Sequence, residues 1–278
     1  MELLGHRIGV CSWSLRTVTV RELVAVVKAI GLSDVQLALA PLVPLSPADR
    51  KAVLDELRDA GIGILSGMIS FPGEDYTTID TIHRTGGYVP SATFAERREL
   101  TRRAAELAAS ANIRLVTTHV GFIPAPTDAG YGESMARIRQ IADDLRGFGL
   151  TLGLETGQEP ADRLLLFLRS LGAGNVVINF DPANMLLYGA GDPIAAVGLL
   201  GRHIGQVHLK DAVASARPGV EWGEEVPFGS GQVDAPRFLS ALRATGYKGA
   251  LVFEREAGAD RVADLRAGID ALKRALGA

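Results

Sequence analysis

The chain has 278 residues, of which 47% are hydrophobic and 22% are charged, and its formal net charge is -3. This charge balance argues against a dedicated nucleic-acid binder, which usually presents a basic face, and no stretch approaches the ~18 apolar residues of a membrane-spanning helix. The single cysteine, Cys11, excludes an intramolecular disulfide. Because a signal-peptide pattern is also missing, we expect a cytoplasmic protein that binds neither membrane nor nucleic acid.

Short apolar runs alternate with helical patterns along the whole chain. Such runs are typical of buried parallel strands, and capping residues, prolines and glycines mark many of the helix ends. Three long loops, at 70–91, 121–132 and 212–233, interrupt the alternation. The predicted strands lie at 8–14, 34–39, 62–69, 115–120, 150–155, 176–181, within 206–211 and at 250–254, and the predicted helices at 20–30, 47–60, 93–111, 134–148, 160–171, 193–200, 235–245 and 262–276.

Eight strand-then-helix units predict an α/β protein with a single (β/α)₈ TIM barrel, forming one domain over residues 1–278. Parallel strands require crossovers, helices supply them, and eight crossovers of one hand close a barrel. The rival fold is a doubly wound open sheet, which more often carries a glycine-rich phosphate loop after its first strand. That position holds Ser12, Trp13 and Ser14, so the sequence favours the barrel.

Four successive predicted strands end in residues that can bind a metal. Glu155, Asp181, His208 and Glu254 lie at or near the carboxyl ends of the last four strands, and in a barrel these ends meet at the active-site mouth. Three carboxylates and one imidazole suit one divalent ion such as Mn²⁺, Mg²⁺, Co²⁺ or Zn²⁺. For any one carboxylate the alternative is a helix N-cap or a loop salt bridge, but four such residues at the same end favour a site.

Other polar residues near the strand ends have two interpretations each. His119 is either a substrate contact or a hydrogen-bonded residue at a strand end, and Trp13 is either a platform for a sugar or part of the core. Lys210 could neutralise a bound oxygen or pair with a carboxylate. Asp211 could orient a ligand or cap a turn.

These residues lie in motifs that resemble the xylose-isomerase-like (β/α)₈ superfamily of sugar isomerases and epimerases. The resemblance covers nearly the whole chain and is most specific at GLE 153–155, NFDPAN 179–184, VHLKD 207–211, GSGQVD 229–234 and GYKGALVFE 246–254. It implies that Glu155, Asp181, His208 and Glu254 bind one divalent metal. It also implies a small carbohydrate substrate and a homodimer or homotetramer.

The sequence departs from the ketose 3-epimerases of this superfamily at two substrate-contact positions. Those enzymes usually carry a histidine three residues after the metal-binding aspartate and an arginine six residues after the metal-binding histidine, whereas this chain has Asn184 and Ala214. The resemblance therefore implies retained metal chemistry on a changed substrate, with Trp13, His119, Asn184 and Lys210 as candidate substrate-binding residues. Whether the substrate bears a phosphate stays open, since three arginines lie near loops: Arg97, Arg98 and Arg217.

The implied reaction is a sugar isomerisation or epimerisation through an enediolate, with Glu155 and Glu254 as acid and base. The same intermediate could instead expel a β-hydroxyl, which would make the protein a dehydratase of an inosose- or dehydroshikimate-like substrate. An abasic-site endonuclease is disfavoured, because that chemistry in this superfamily uses three zinc ions and many histidines, and the chain has five His residues. A barrel that binds a metal or a sugar without turnover is the remaining alternative.

Overall fold

The computed structural model describes residues 1–277 as a closed barrel of eight parallel strands surrounded by helices, which confirms the predicted (β/α)₈ fold. The eight barrel strands are His6–Cys11 (β2), Asp34–Ala38 (β3), Gly63–Met68 (β4), Leu115–Thr118 (β5), Thr151–Glu155 (β6), Val176–Phe180 (β7), Ile204–Leu209 (β8) and Ala250–Phe253 (β11). Three short antiparallel strands accompany them: Glu2–Leu3 (β1), Asp211–Val213 (β9) and Glu224–Val226 (β10). The barrel closes because β2 pairs in parallel with both β11 and β3.

Helices connect the barrel strands and cover the outside of the sheet. The helices are Val20–Ala29 (α1), Pro47–Asp59 (α2), Ile79–Thr85 (α3), Ser91–Ser110 (α4), Tyr131–Gly147 (α5), Ala161–Leu171 (α6), Pro182–Tyr188 (α7), Pro193–Leu200 (α8), Ala235–Ala244 (α9) and Arg261–Leu276 (α10). Their buried aliphatic faces pack on the strands to form one large core. Across residues 1–277, no helix is both long enough and apolar enough to cross a membrane.

The barrel interior contains hydrogen-bonded polar side chains among its apolar ones. Ser66 on β4 donates to Gln206 on β8, 2.6 Å away and across the barrel. Gln206 donates to Asn179 on β7, and Gln36 on β3 donates to Thr117 on β5. These five side chains are at most 1% exposed. These hydrogen bonds satisfy polar groups that would otherwise be costly inside the barrel.

The structure corrects the predicted elements at several places. The first strand ends at Cys11 and is followed by a 3₁₀ helix, Ser12–Leu15, which contains Trp13. The loop at 70–91 contains α3, and the loop at 212–233 contains β10, which pairs with β9 as an antiparallel hairpin. Neither β1 nor α7 is predicted from the sequence. These elements have two to seven residues, which is too short to show a clear hydrophobic period.

Candidate active site

Asp181 has two roles at the end of β7. Its Oδ1 accepts hydrogen bonds from the main-chain N–H groups of Ala183 (2.8 Å) and Asn184 (3.0 Å) and thereby caps α7. Its Oδ2 is buried and has no hydrogen-bond partner in residues 1–277, and it lies 3.6 Å from Nδ1 of His208. Asp181 can therefore serve both as a helix cap, through Oδ1, and as a metal ligand, through Oδ2.

The four residues predicted to form a metal site converge in the structure. Glu155, Asp181, His208 and Glu254 each offer one ligand atom, and these atoms all lie within 4.8 Å of one another. Nδ1 of His208 is 3.4 Å from Glu155 Oε1 and 3.3 Å from Glu254 Oε2, and within the described chain it has no hydrogen-bond partner. Buried polar atoms without partners are costly, and a cation among these four atoms would satisfy them.

The other ring nitrogen of His208 is held from the opposite side. Oε1 of Gln36 lies 2.7 Å from Nε2, and Nδ2 of Asn179 lies 3.1 Å from it. Burial acts to lower the pKa of His208, but the neighbouring carboxylates raise it well above its ordinary range, so a bound metal would replace a proton on Nδ1. In the neutral ring that binds a metal, a proton on Nε2 donated to Gln36 would direct the Nδ1 lone pair towards the carboxylates. The sequence analysis gives no role to Gln36, nor to Asn179, which opens the NFDPAN motif. The available signal was an amide side chain inside an otherwise apolar strand.

The charges of the site compensate one another. Burial acts to raise the pKa of Glu155, but the charges of His119 and His208 outweigh it and lower this pKa. Burial acts in the same direction on Glu254, where Lys210 and His208 outweigh it and hold the pKa well below its usual range. Burial raises the pKa of Asp181 to about 6, although Lys210 opposes the shift. Both glutamates are therefore carboxylates at neutral pH, the form that binds a cation or accepts a proton.

A cavity of about 580 Å³ opens beside the four-residue cluster. Trp13 and His119, two predicted substrate-binding residues, line it together with Glu254. Nε1 of Trp13 donates to Glu254 Oε1 over 2.8 Å, and Nε2 of His119 lies 3.5 Å from Glu155 Oε1. The cavity is also lined by loop residues for which the sequence contains no motif, among them Phe71, Glu74, Tyr76 and Glu256.

Asn184 and Lys210, the other two candidate substrate-binding residues, contact the carboxylates. Nδ2 of Asn184 donates to Glu155 Oε1 over 3.2 Å. Nζ of Lys210 donates to Glu254 Oε2 over 2.9 Å and to Glu256 Oε2 over 2.8 Å. The structure thus brings all four candidates to the cluster, and their contact with a substrate stays a prediction.

Comparisons with known proteins agree with the observed architecture. A family model described as "Xylose isomerase-like TIM barrel" matches residues 24–275. An L-ribulose 3-epimerase of Mesorhizobium japonicum is 27% identical over 227 residues, which cover 76% of this chain and 68% of the relative. The crystal structure of a xylose isomerase domain protein from Planctomyces limnophilus is similar with a TM-score of 0.86 at 30% identity, over 96% of this chain and 95% of that chain. A solved L-ribulose 3-epimerase, at 21% identity and a TM-score of 0.73 over 97% and 95% of the two chains, shares the fold.

Proposed function

We propose that this chain, which belongs to the xylose isomerase-like TIM barrel family, is a carbohydrate isomerase or epimerase that uses one divalent metal ion. The observation that carries the proposal is a pair of buried atoms, Asp181 Oδ2 and His208 Nδ1, which lack hydrogen-bond partners in the described structure and lie next to Glu155 and Glu254. Carboxylate oxygens and one imidazole fit Mn²⁺, Mg²⁺, Co²⁺ or Zn²⁺. The carbohydrate class is supported by the L-ribulose 3-epimerase relative.

In the proposed mechanism Glu155 and Glu254 form the acid–base pair. They come from β6 and β11, which flank β7 and β8 in the barrel, so they can reach a bound sugar from two directions. A bound divalent ion supplies Lewis-acid polarisation of the substrate carbonyl, which makes the neighbouring C–H more acidic. One glutamate removes that proton to give an enediolate, and the other returns a proton to the opposite face or to the next carbon. The first outcome is epimerisation and the second is isomerisation.

His119 and Trp13 would assist these two glutamates. His119 lines the cavity beside Glu155, where its ring can donate a hydrogen bond to the oxygen on which negative charge develops. Trp13 holds one oxygen of Glu254 through its indole N–H. The other oxygen of Glu254 is held by Lys210, so this carboxylate has a fixed orientation before a substrate arrives.

The substitution Asp181→Asn tests the metal site while it keeps the helix cap. Asn is as good an N-cap as Asp, so we expect α7 and the stability of the metal-free protein to be retained. Because the charge of the free oxygen is lost, metal affinity should fall by more than the ~10–100-fold that an outer hydrogen-bond partner costs. Competition against a chromophoric chelator measures this affinity.

The matched control is Asp192→Asn, which changes a residue that caps α8 in the same way through an exposed carboxylate. This variant should bind the metal as the wild type does. An Asp181→Asn protein with wild-type stability, metal affinity and turnover would show that the site is assigned wrongly.

A further inference from the structure

We infer that the substrate is an uncharged carbohydrate, without phosphate or carboxylate, and that Glu256 is the residue that disfavours charged forms. The inference rests on the proposed function and specifies its substrate class. Among the described residues that line the cavity, three are glutamates, Glu74, Glu254 and Glu256, and none is arginine or lysine. Anionic groups are usually bound by Arg, Lys or a free helix N-terminus, so the cavity wall has the wrong charge for them.

The lysine closest to the reaction site is already neutralised by the protein. Lys210 Nζ lies 2.9 Å from Glu254 Oε2 and 2.8 Å from Glu256 Oε2, and Glu225 Oε2 follows at 3.7 Å. Its side chain is only 3% exposed. A phosphate would have to displace these carboxylates to reach the ammonium group, and the displaced glutamates would then be buried without their cation.

The helix N-terminus at the site is also occupied. The first free N–H groups of α7, those of Ala183 and Asn184, donate to Asp181 Oδ1. A helix N-terminus binds an anion through such groups only when they are free. The α7 terminus therefore offers an incoming phosphate no open position.

Four arginines near the loops have partners in the described structure. Arg97 is buried and donates to main-chain oxygens of the segment that covers the cavity, at Gly87 (2.6 Å) and Pro72 (3.4 Å). The other three have the following partners: Arg98 pairs with Asp144, Arg217 pairs with Glu221, and Arg261 donates to the main-chain oxygen of Trp13. Arg97 and Arg98 are thereby held by the fold, whereas Arg217 and Glu221 form a solvent-exposed pair on the surface.

Of the three cavity glutamates, Glu256 is the one that can still bind a substrate hydroxyl, because the other two already have roles in the fold or in the proposed metal site. Both oxygens of Glu74 accept main-chain N–H groups, from Phe71 and Gly87, and Glu254 belongs to the metal cluster. The side chain of Glu256 is 53% exposed, and its Oε2 is bound to Lys210. Its carboxylate can accept hydrogen bonds from sugar hydroxyls, whereas a nearby phosphate would meet a like charge.

The rest of the cavity wall fits an uncharged ligand. Trp13, Met68, Phe71 and Tyr76 supply apolar and aromatic surface on which the C–H face of a sugar can stack. The volume of about 580 Å³ falls within the ~300–1,000 Å³ of sites that bind small organic ligands. In the inferred complex, hydroxyl groups of the sugar donate hydrogen bonds to Glu256, and its carbon skeleton packs on the aromatic side chains.

Matched sugar pairs test the inference by isothermal titration of the Mg²⁺-loaded protein. The probes are D-fructose with D-fructose 6-phosphate and L-ribulose with L-ribulose 5-phosphate, and inorganic phosphate alone measures anion binding to the metal. We expect each free ketose to bind at least about tenfold more tightly than its phosphate, and we expect Glu256→Gln to reduce this ratio by about tenfold. Glu106→Gln, an equal charge change on the exposed face of α4, should leave the ratio unchanged.

The outcomes separate this inference from the proposed function. Free ketoses that bind more tightly than their phosphates, without metal-dependent exchange of a carbon-bound hydrogen, would contradict the function and leave the inference standing. A phosphate ester that binds as tightly as its free sugar would overturn the inference, and so would a wild type that binds neither member of any pair. A ratio equally insensitive to Glu256→Gln and Glu106→Gln would remove Glu256 from its assigned role.

Discussion

At the scale of single residues, the orientation of His208 depends on Gln36. The imidazole is fully buried, and Nε2 finds its acceptor in Gln36 Oε1 at 2.7 Å. Gln36 cannot easily rotate away, because its own Nε2 donates to Thr117 Oγ1 over 2.7 Å. In the neutral, metal-binding form of the ring, this acceptor would favour the proton on Nε2 and leave Nδ1 to face the carboxylates.

Replacing Gln36 should weaken metal binding although the residue contacts no metal in this account. We expect Gln36→Leu to lower metal affinity by about 10–100-fold, and Gln36→Glu, which keeps an oxygen acceptor, to lower it much less. Competition titration measures the affinity, and the ¹⁵N chemical shifts of His208 in the Zn²⁺-loaded protein report which nitrogen carries the proton. Equal affinities and equal ¹⁵N shifts in Gln36→Leu and the wild type would refute this positioning role.

We expect Glu159 to make the stability of the protein pH-dependent. Burial raises the pKa of Glu159 from its ordinary 4.5 to about 8, against the opposing charge of Arg163. Between these two values the folded state retains a proton that the unfolded state releases, so stability falls as pH rises through this window. Glu159→Gln removes this cost and should stabilise the protein by on the order of a few kcal/mol above pH ~8, and by much less near pH ~5.

Urea unfolding at the two pH values measures this difference. Glu106→Gln is the control, because its carboxylate is exposed and its effect should not change with pH. A Glu159→Gln protein whose stability gain is the same at both pH values would be inconsistent with a raised pKa at this position.

At the scale of elements, Asp211 fixes the loop that follows the hairpin. The side chain is fully buried. Its oxygens accept hydrogen bonds from four main-chain N–H groups, at Ala212, Gly229, Gly231 and Val233, over 2.9–3.0 Å. Of the two roles that the sequence allows for Asp211, the structure shows the organisation of a turn. A side chain at Gly231 would collide with this carboxylate, which explains the glycine in the GSGQVD motif.

Removing the Asp211 carboxylate should loosen the segment at 227–234. Because four N–H groups lose their acceptor, we expect Asp211→Ala to destabilise the protein by on the order of 3 kcal/mol or more. Hydrogen–deuterium exchange should show faster exchange in 227–234. Asp192→Ala is the comparison, since it removes one exposed cap bond and should cost about 1 kcal/mol. Unchanged protection of 227–234 in Asp211→Ala would contradict this assignment.

The hairpin is joined to the segment that follows β11 by one ion pair and one main-chain hydrogen bond. Glu225 on β10 accepts hydrogen bonds from Arg255 Nη1 over 2.9 Å and from the main-chain N–H of Glu256 over 2.8 Å. Both of these residues directly follow Glu254. The hairpin therefore supports the backbone that carries Glu254, one of the two proposed acid–base residues, and Glu256, so loosening it should reduce activity as well as stability.

At the scale of the whole molecule, the sequence predicts those features that depend on neighbouring residues in the chain, namely the strands, the longer helices and the polar residues at the strand ends. Apolar runs that end in Glu155, Asp181, His208 and Glu254 can be found without knowledge of the fold, and barrel closure then explains why they meet. The contact of Gln36 with His208 joins residues 172 positions apart, and it appears only when β3 and β8 face each other across the barrel. Short elements such as α7 lack a hydrophobic period. The cavity wall comes from loop residues that carry no motif.

The most direct test of the account is incorporation of solvent deuterium into ketoses, measured by mass spectrometry with metal-stripped protein alone and with Mn²⁺, Mg²⁺, Co²⁺ or Zn²⁺. We predict incorporation at a carbon-bound position that requires the metal. It should fall by about 10²–10⁴-fold in Glu155→Gln and in Glu254→Gln, and it should persist in Glu106→Gln. Incorporation that survives metal removal, or that neither glutamate substitution reduces, would contradict the central claim that this cluster moves a substrate proton.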